Sequence, residues 1–321
     1  MTVLACFSIK GGVGKTTTAV NLAHQAAASG YRTLLWDLDP QGAASYYLNA
    51  RPGALFDMSL TNDVKQLAKY IVPSDFDNLE VIPNKFSNLR LEDMLARGAT
   101  SNNRLKAVLF PLQKDYDLIV LDCPPGVSAL SDNALTAADC TVVPTIPAPL
   151  SVRTLRQLRK HVKKEEIDTT LLPFFCMQDS RRSAHRSIVE YHQQVDGDTV
   201  LNTVIPYSAI VERMGVKRRP LATYAAVSAP ATAYAELFDE IAPQLGLGNK
   251  EKVAAEFTMP TLTPTPTVAP AVAPTIAPTM APTMAPKETS APIEAEVSLP
   301  NRTRAFCTHR SVQPVRFGMP G

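Results

Sequence analysis

The sequence SIKGGVGKTTT, at residues 8–18, determines how the rest of the chain is interpreted. It follows the apolar residues 3–7 and precedes a stretch with helical periodicity. A glycine-rich loop between a strand and a helix lets backbone N–H groups approach anionic oxygens, and the helix N-terminus favours negative charge there. The stretch therefore predicts a phosphate-binding loop, in which Lys15 neutralises the outer phosphates and the Thr16 hydroxyl binds magnesium.

This loop departs from the standard pattern G-x-x-x-x-G-K-[ST]. Counting back five residues from Gly14 gives Ile9 instead of glycine, and a second lysine, Lys10, follows it. A single lysine would suffice to neutralise a bound phosphate, so Lys10 needs a separate explanation. The candidate nucleotide ligands in the loop are Lys10, Gly11, Gly12, Val13, Gly14, Lys15, Thr16 and Thr17.

Composition and charge leave several kinds of partner open. The 321 residues include 32 basic and 30 acidic side chains, a formal net charge of +2, which neither favours nor excludes nucleic acid. Five scattered cysteines form no C-x-x-C pair, which favours a reducing, cytoplasmic setting without structural zinc. We expect no secretory leader, and no stretch approaches the roughly 20 apolar residues of a membrane span.

Short apolar runs alternate with amphipathic stretches through the first 247 residues. The runs predict strands at 3–9, 33–36, 79–82, 118–121, 141–146, 171–176 and 203–205. Helical periodicity predicts helices at 16–29, 131–138, 151–164, 181–193 and 230–245. This alternation is typical of an α/β fold with a doubly wound, mostly parallel sheet and helices on both faces. Ligands of such sheets bind beyond the carboxyl ends of the strands, so we expect the chemistry there.

Acidic residues follow two other predicted strands. The motif DLDPQG, at 37–42, places Asp37 and Asp39 on one side of a strand end, because strand side chains alternate. Two neighbouring carboxylates are costly unless they share a cation or a proton. In DLIVLDCPPG, at 117–126, four apolar residues precede Asp122, as in a Walker-B strand that delivers one carboxylate to magnesium. The Pro-Pro-Gly that follows predicts a stiff turn near the terminal phosphate.

Composition changes sharply near residue 248. Prolines recur through 248–300 among alanines and threonines, and each fixes φ and removes an amide donor, so we predict a disordered linker. Residues 301–321 carry four arginines and no acid, which fits either a basic arm that touches a partner or a solvated end. The predicted organisation is a P-loop domain at 1–247, a linker at 248–300 and a basic tail at 301–321.

Three motifs carry a resemblance to a known family. KGGVGKTT, DLDPQG and DLIVLDCPPG, in this order, resemble the ParA/MinD superfamily of deviant Walker-A ATPases, and DLDPQG resembles its ParA, Soj-like branch. MQDSRR at 177–182 and TVIPYS at 203–208 are similar to later segments of that family. The resemblance covers about residues 1–247 and implies a P-loop ATPase that uses ATP and Mg²⁺.

The resemblance gives Lys10 a role, because it matches the family's signature lysine, which reaches across a dimer to the other subunit's phosphates. The charge argument stands on its own: two ATP molecules face to face concentrate negative charge, which a cation donated in trans offsets. By the same correspondence Asp39 polarises the attacking water, Asp37 supports the magnesium shell and Asp122 binds magnesium through water. Gln41 either couples dimerisation to hydrolysis or caps the next segment.

The adenine contacts implied by the resemblance are Met177, Pro206 and Tyr207. MinD relatives have an asparagine near the position of Met177, and this chain departs from them there.

Basic residues form three clusters that predict DNA binding without sequence preference, as in ParA-type members of the family. Helix 151–164 has an apolar face at Val152, Leu155, Leu158 and Val162 and a basic face beside it. A solvated charged face is the alternative reading of each cluster alone. The candidates are Arg153, Arg156 and Lys160, then Arg181, Arg182 and Arg186, and then Arg213, Lys217, Arg218 and Arg219.

Together these features predict a cytoplasmic, nucleoid-associated ATPase that forms an ATP-dependent sandwich homodimer and positions a cargo on DNA. The cargo is a plasmid or chromosome partition complex, or a protein assembly such as a carboxysome or chemoreceptor cluster. A cargo-bound ParB-like or adaptor protein stimulates hydrolysis that is weak without it.

Several alternatives remain open. They are a metabolic ATPase or an iron–sulfur carrier of the same superfamily, a MinD-like membrane-associated regulator of cell division, and a non-enzymatic scaffold. The proline-rich and then arginine-rich C-terminal sequence disfavours the membrane, and the unpaired cysteines disfavour a cluster carrier. We also expect no helix-turn-helix domain ahead of the loop, because the first predicted strand starts at Val3.

Overall fold

A computed structural model describes residues 1–51, 68–84, 103–194 and 200–247. The strands in these ranges are β1 Thr2–Cys6, β2 Thr33–Asp37, β3 Val72–Pro73, β4 Leu79–Ile82, β5 Leu118–Asp122, β6 Cys140–Thr145, β7 Thr170–Gln178 and β8 Val204–Pro206. The α-helices are α1 Lys15–Ala28, α2 Ala43–Tyr47, α3 Arg104–Leu109, α4 Ala129–Ala137, α5 Pro149–Lys164, α6 Ser183–Gln194, α7 Ala209–Lys217, α8 Ala222–Ala225 and α9 Ala229–Ile241. The predicted linker and basic tail lie outside the described residues.

The strands form one sheet in the order β3-β4-β2-β5-β1-β6-β7-β8. The β3–β4 pair is antiparallel, and every other neighbouring pair is parallel. Strands β2 to β5 lie on one side of the central strand β1, and strands β6 to β8 lie on the other side. The doubly wound, mostly parallel sheet predicted from sequence is therefore confirmed. The register pairs Asp122 with Cys6 on one side and with Asp37 on the other, which brings three strand ends to one place.

Side chains of the strands alternate between two apolar cores, one on each face of the sheet. Leu4 and Cys6 of β1 belong to the core that α1 and α9 cover. Val3 and Ala5 belong to the opposite core, which α3, α4 and α5 cover. Helices on both faces therefore bury the central strands of the sheet, and the ligand-binding edge is left at the ends of the strands.

Several element ends differ from the sequence-based prediction. The first strand ends at Cys6 and not at residue 9, because the chain turns into the glycine-rich loop earlier than its apolar residues indicate. Strand β7 continues to Gln178 through a bulge at Met177, whose φ of 55° is unusual for a side chain of this size. The short helices α2, α3, α7 and α8 were not among the predicted helices. None of the helices in the described ranges combines the length and apolarity needed to cross a bilayer.

Candidate nucleotide-binding site

The glycine-rich loop connects β1 to α1 at the carboxyl edge of the sheet. Gly12 and Gly14 adopt φ values of 71° and 91°, which disfavour any residue with a Cβ. Gly14 precedes the first residue of α1, and no side chain caps that helix. The N–H groups of the first turn are therefore available to an anion, and the helix dipole favours it.

The two lysines of the loop lie in different environments. Lys15 is 7% exposed, and its Nζ donates to the carbonyl oxygen of Lys10 at 3.3 Å. Burial lowers the pKa of Lys15, and the charges of Asp122 and Asp39 partly oppose that shift. Lys10 is exposed, and its Nζ donates to Oγ of Ser151 in the first turn of α5 at 3.3 Å. Lys15 thus points into the site, whereas Lys10 lies on its outer rim.

The carboxylate of Asp37 is buried and held by three donors. Its Oδ2 accepts from the backbone N–H and the hydroxyl of Ser45, at 2.8 and 2.6 Å. Its Oδ1 accepts from the backbone N–H of Asp39 at 3.2 Å. Burial nevertheless dominates and raises the pKa of Asp37 to about 6. Asp39 is half-buried, and its Oδ1 accepts from the backbone N–H of Gln41 at 2.9 Å.

Asp122, on the neighbouring strand, is fully buried but does not have three hydrogen-bond donors like those of Asp37. Neither of its carboxylate oxygens has a well-formed hydrogen bond with the described residues. Burial first and the charge of Asp37 second raise its pKa well above the usual value, while the nearby Thr16 hydroxyl and Lys15 ammonium oppose that shift. A buried carboxylate without a well-formed hydrogen bond fits a bound cation, and oxygen ligands are those that Mg²⁺ prefers. The residues that would hold Mg²⁺ here are Thr16 and Asp122, with Asp37 beside them.

A cavity of about 80 Å³ opens beside the loop, next to Gly14 and Thr17. The three predicted adenine contacts, Met177, Pro206 and Tyr207, all line it. The bulge in β7 directs Met177 toward the loop, where a Cβ on Gly14 would lie 3.6 Å from the Met177 Cε. Sequence analysis did not single out the remaining lining residues, which are Cys176, Ile205, Ser208, Val211, Glu212 and Tyr234.

The Pro-Pro-Gly turn after Asp122 contacts the glycine-rich loop directly. The N–H of Gly126 donates to the carbonyl oxygen of Ile9 at 3.0 Å, and Gly126 has a φ of 90°. Helix α4 follows at once, and a capping box between Ser128 and Ser131 fixes its start. The turn therefore links the strand that carries Asp122 to the residue that precedes Lys10.

The three basic clusters differ in how far their charges are engaged. On α5 the candidates Arg153, Arg156 and Lys160 are exposed, opposite the buried Val152, Leu155 and Leu158. In the second cluster Arg181 and Arg182 both pair with Asp179, at 2.9 and 3.5 Å, and Arg186 donates to the carbonyl oxygen of Ser180. In the third cluster Arg213, Lys217 and Arg219 are exposed.

Arg218 differs from its neighbours because it is engaged within the chain. Its guanidinium stacks 4.5 Å from the ring centre of Tyr46 and donates to the Tyr46 carbonyl oxygen at 3.1 Å. Within the described residues, neither the α5 cluster nor Arg213, Lys217 and Arg219 of the third cluster has an ion pair, so both sets keep their charge for an external partner.

The loop between β1 and α1 and the acids that end β2 and β5 define a P-loop nucleotide-binding domain. The model of a family described as an AAA domain matches residues 1–171. The chain is 32% identical over 249 residues to the sporulation initiation inhibitor protein Soj of Bacillus subtilis, covering 75% of this chain and 98% of that protein. It is 32% identical over 252 residues to the chromosome partitioning protein ParA of Caulobacter vibrioides, covering 74% and 93%.

Among solved structures, cobyrinic acid a,c-diamide synthase from Mycobacterium smegmatis with bound ADP and magnesium superposes with a TM-score of 0.63. The sequences are 29% identical, and the match covers 77% of this chain and 97% of that one. Taken with the motifs, these similarities show that the chain belongs to the ParA/MinD superfamily of P-loop ATPases, in its Soj-like branch.

Proposed function

We propose that this protein is a ParA-type ATPase that positions a cargo on DNA, and that Mg²⁺ and ATP control its association with itself. The observation that carries the proposal is the buried carboxylate of Asp122, which has no well-formed hydrogen bond with the described residues and lies beside Lys15 and Thr16. Bound Mg²⁺ would supply the positive charge that this carboxylate and the phosphates of ATP both need.

Each part of the site has a task in hydrolysis. The loop N–H groups of residues 11–17 and the Lys15 ammonium bind the phosphates and offset their charge. Met177, Pro206 and Tyr207 hold the base in the adjacent cavity. Asp39, half-buried at the edge of the site, orients the attacking water and polarises it. Turnover is slow until a partner completes the arrangement.

Lys10 acts on a second copy of the chain. Its position on the outer rim, in contact with Ser151 and not with the interior of the site, supports a role toward a nucleotide bound elsewhere. In a sandwich dimer the ammonium would reach the phosphates held by the partner subunit and offset the charge of two opposed ATP molecules. ATP then holds the dimer together, and hydrolysis releases it.

The dimer binds DNA through phosphate contacts, with the basic face of α5 as the first candidate surface. This helix begins beside Lys10, so a dimer built on Lys10 would bring two such faces close together. Two relatives carry partitioning or Soj names, which supports a chromosome or plasmid partition complex as the cargo. A ParB-like or adaptor protein bound to that cargo would stimulate hydrolysis on the nucleoid, in the cytoplasm.

A second candidate is a metabolic ATPase of the same superfamily. The similarity to a solved structure named as a cobyrinic acid a,c-diamide synthase favours it. Such an enzyme would bind a small-molecule substrate at the ATP site and would have no need of DNA. DNA binding therefore separates the two candidates.

The experiment measures binding to non-specific duplex DNA with ATP, with ADP and without nucleotide. We expect the wild type and Asp39→Ala to bind only with ATP, at low salt more than at high salt, and Lys10→Ala to lose this binding. Lys114→Ala, which removes another exposed lysine, is the matched control and should bind like the wild type. Absence of DNA binding in every nucleotide state would reject the proposal in favour of the metabolic candidate.

A further inference from the structure

Helix α2 begins directly after the DLDPQG motif and holds one of the two buried acids. Ser45, in its first turn, is 4% exposed and donates to a single oxygen of Asp37 twice, from its backbone and from its hydroxyl. Hydrogen bonds to a charged acceptor are stronger than neutral ones, and two on one oxygen fix the orientation of the carboxylate. The other oxygen of Asp37 keeps one backbone donor, the N–H of Asp39.

The same serine is itself fixed by the end of a neighbouring strand. Its Oγ accepts from the backbone N–H of Asn84, which follows β4, at 2.9 Å. The carbonyl oxygen of Asn84 lies only 3.3 Å from the position that a Cβ on Gly42 would occupy. Gly42 also has a φ of 64°, so glycine at this position lets the chain turn into α2 and lets Asn84 approach. The Ser45 hydroxyl is therefore held between the ends of β2 and β4.

We propose that Ser45 is a positioning residue of the magnesium site, which acts by fixing the carboxylate of Asp37 beside Asp122. The inference rests on the proposed function, because it assigns Ser45 to the metal site of the same ATPase. The Asp37–Asp122 register places the two acids side by side, and their charges repel. Without the Ser45 hydroxyl, Asp37 would keep only its two backbone donors, so its carboxylate would be held less firmly in the arrangement beside Asp122 that suits a cation.

A structural role alone would have a different signature. Removing a buried hydroxyl that only stabilises α2 would lower the melting temperature and weaken nucleotide binding equally with and without magnesium. Removing a positioning residue would weaken only the part of nucleotide affinity that magnesium adds. The two roles therefore separate in a measurement that does not depend on turnover.

The test measures the affinity of fluorescent mant-ADP, with MgCl₂ and with EDTA, for the full chain. We expect Ser45→Ala to reduce the gain in affinity that Mg²⁺ provides by about 10-fold, since partners of metal ligands typically contribute 10- to 100-fold. Affinity in EDTA should stay within about twofold of the wild type. Ser45→Cys fills the same space with a weak donor and should show a loss in the same direction. The melting temperature reports whether each variant is folded.

Ser74→Ala is the matched control, because the Ser74 hydroxyl donates a hydrogen bond of the same length, 2.6 Å, but to the backbone oxygen of Leu79 in the β3–β4 turn. It should keep the full effect of Mg²⁺. An unchanged Mg²⁺ effect in folded Ser45→Ala and Ser45→Cys, or an equal loss of affinity in MgCl₂ and EDTA, would overturn the positioning role. If the wild type itself gains no affinity from Mg²⁺, the proposed ATPase site fails, which is a distinct outcome.

Discussion

The ends of β2 and β5 lie side by side, and each carries a buried aspartate, but the protein treats the two differently. Asp37 receives three hydrogen bonds from Ser45 and Asp39. Asp122 has no well-formed hydrogen bond with the described residues, and burial raises its pKa further. The protein itself supplies hydrogen-bond donors to the first acid, and we propose that a bound cation compensates the charge of the second. This difference separates Asp37, whose orientation the protein fixes, from Asp122, whose charge a bound cation would offset.

Both buried acids lower the stability of the nucleotide-free protein when they are charged. Burial raises the pKa of both acids, which means that folding disfavours their charged forms relative to water. A bound cation would remove that cost, so ligand binding and stability are linked. Functional sites often contain charged groups that lower the stability of the protein but are already placed for a ligand, and the two buried acids fit that pattern.

Substitution of the buried acid Asp122 should have the largest effect on ATP hydrolysis. We expect Asp122→Asn to lower ATP hydrolysis by about 100-fold or more, because a charged oxygen at the metal and phosphates is lost. The same change should raise the free energy of unfolding without nucleotide, because it removes a buried carboxylate that has no well-formed hydrogen bond with the described residues. Phosphate release and thermal melting measure the two effects.

Asp37→Asn is the comparison that sharpens this prediction. It should also lower hydrolysis, but it removes the charged acceptor of Ser45, so its gain in stability should be smaller than that of Asp122→Asn. Equal melting temperatures for the two variants, or a lower one for Asp122→Asn, would contradict the assigned difference between the acids.

The pH dependence of stability should show the effect of Asp37 next. Its pKa rises from 3.8 in the unfolded chain to about 6 in the folded protein, so the folded state binds the proton more tightly between these values. Its contribution to stability therefore increases as pH falls from about 6 toward about 4, by on the order of 2 kcal/mol, and is lost as pH rises through 6.

Urea unfolding at pH 4.5 and pH 7 in EDTA measures this contribution, together with the interaction of Asp37 with Asp122, as the difference between wild type and Asp37→Asn. Groups such as Asp179, whose pKa Arg181 lowers to about 2, act in the opposite direction and cancel in that difference. The same dependence on pH in both proteins would show that Asp37 is not the titrating group.

The smallest effect concerns the contact of Lys10 with Ser151, which we expect to compete with the proposed action of Lys10 on a second copy. Ser151→Ala removes its contact and should strengthen ATP-dependent dimerisation by about two- to fivefold, since one such hydrogen bond contributes about 0.5–1.5 kcal/mol. Sedimentation with a slowly hydrolysed ATP analogue measures the dimer. Thr154→Ala, which removes a hydroxyl that donates to Leu150, is the control and should leave dimerisation unchanged. Weaker dimerisation in Ser151→Ala would show that the contact belongs to the dimer.

The sequence predicted the mostly parallel sheet and the positions of Asp37 and Asp122 at strand ends, because the motifs depend directly on the backbone conformation. A glycine at position 14 is needed where φ is 91°, and the apolar run before Asp122 reports a strand buried on both faces. Both signals come from a few consecutive residues, so one sequence is enough to recognise them.

The surroundings of the site could not be predicted in the same way. Ser45 lies eight residues after Asp37, and its contact depends on a turn at Gly42 that only the folded chain reveals. Met177 reaches the loop through a bulge for which a methionine gives no signal. The sequence predicts that Arg218 is an exposed surface cation. Its left-handed backbone, at a φ of 51°, instead directs its side chain onto the ring of Tyr46. Contacts of this kind depend on tertiary packing and not on spacing.

The most direct test of the central claim, that Lys10 acts on the nucleotide of a second copy, is a mixing experiment. Lys10→Ala and Asp39→Ala are each expected to hydrolyse ATP poorly alone. In a mixed dimer, one site combines an intact Asp39 with Lys10 from the partner subunit, so phosphate release should recover to a substantial fraction of the wild-type rate. No recovery at any mixing ratio, with mixed dimers shown to form, would contradict action in trans and place the function of Lys10 within its own subunit.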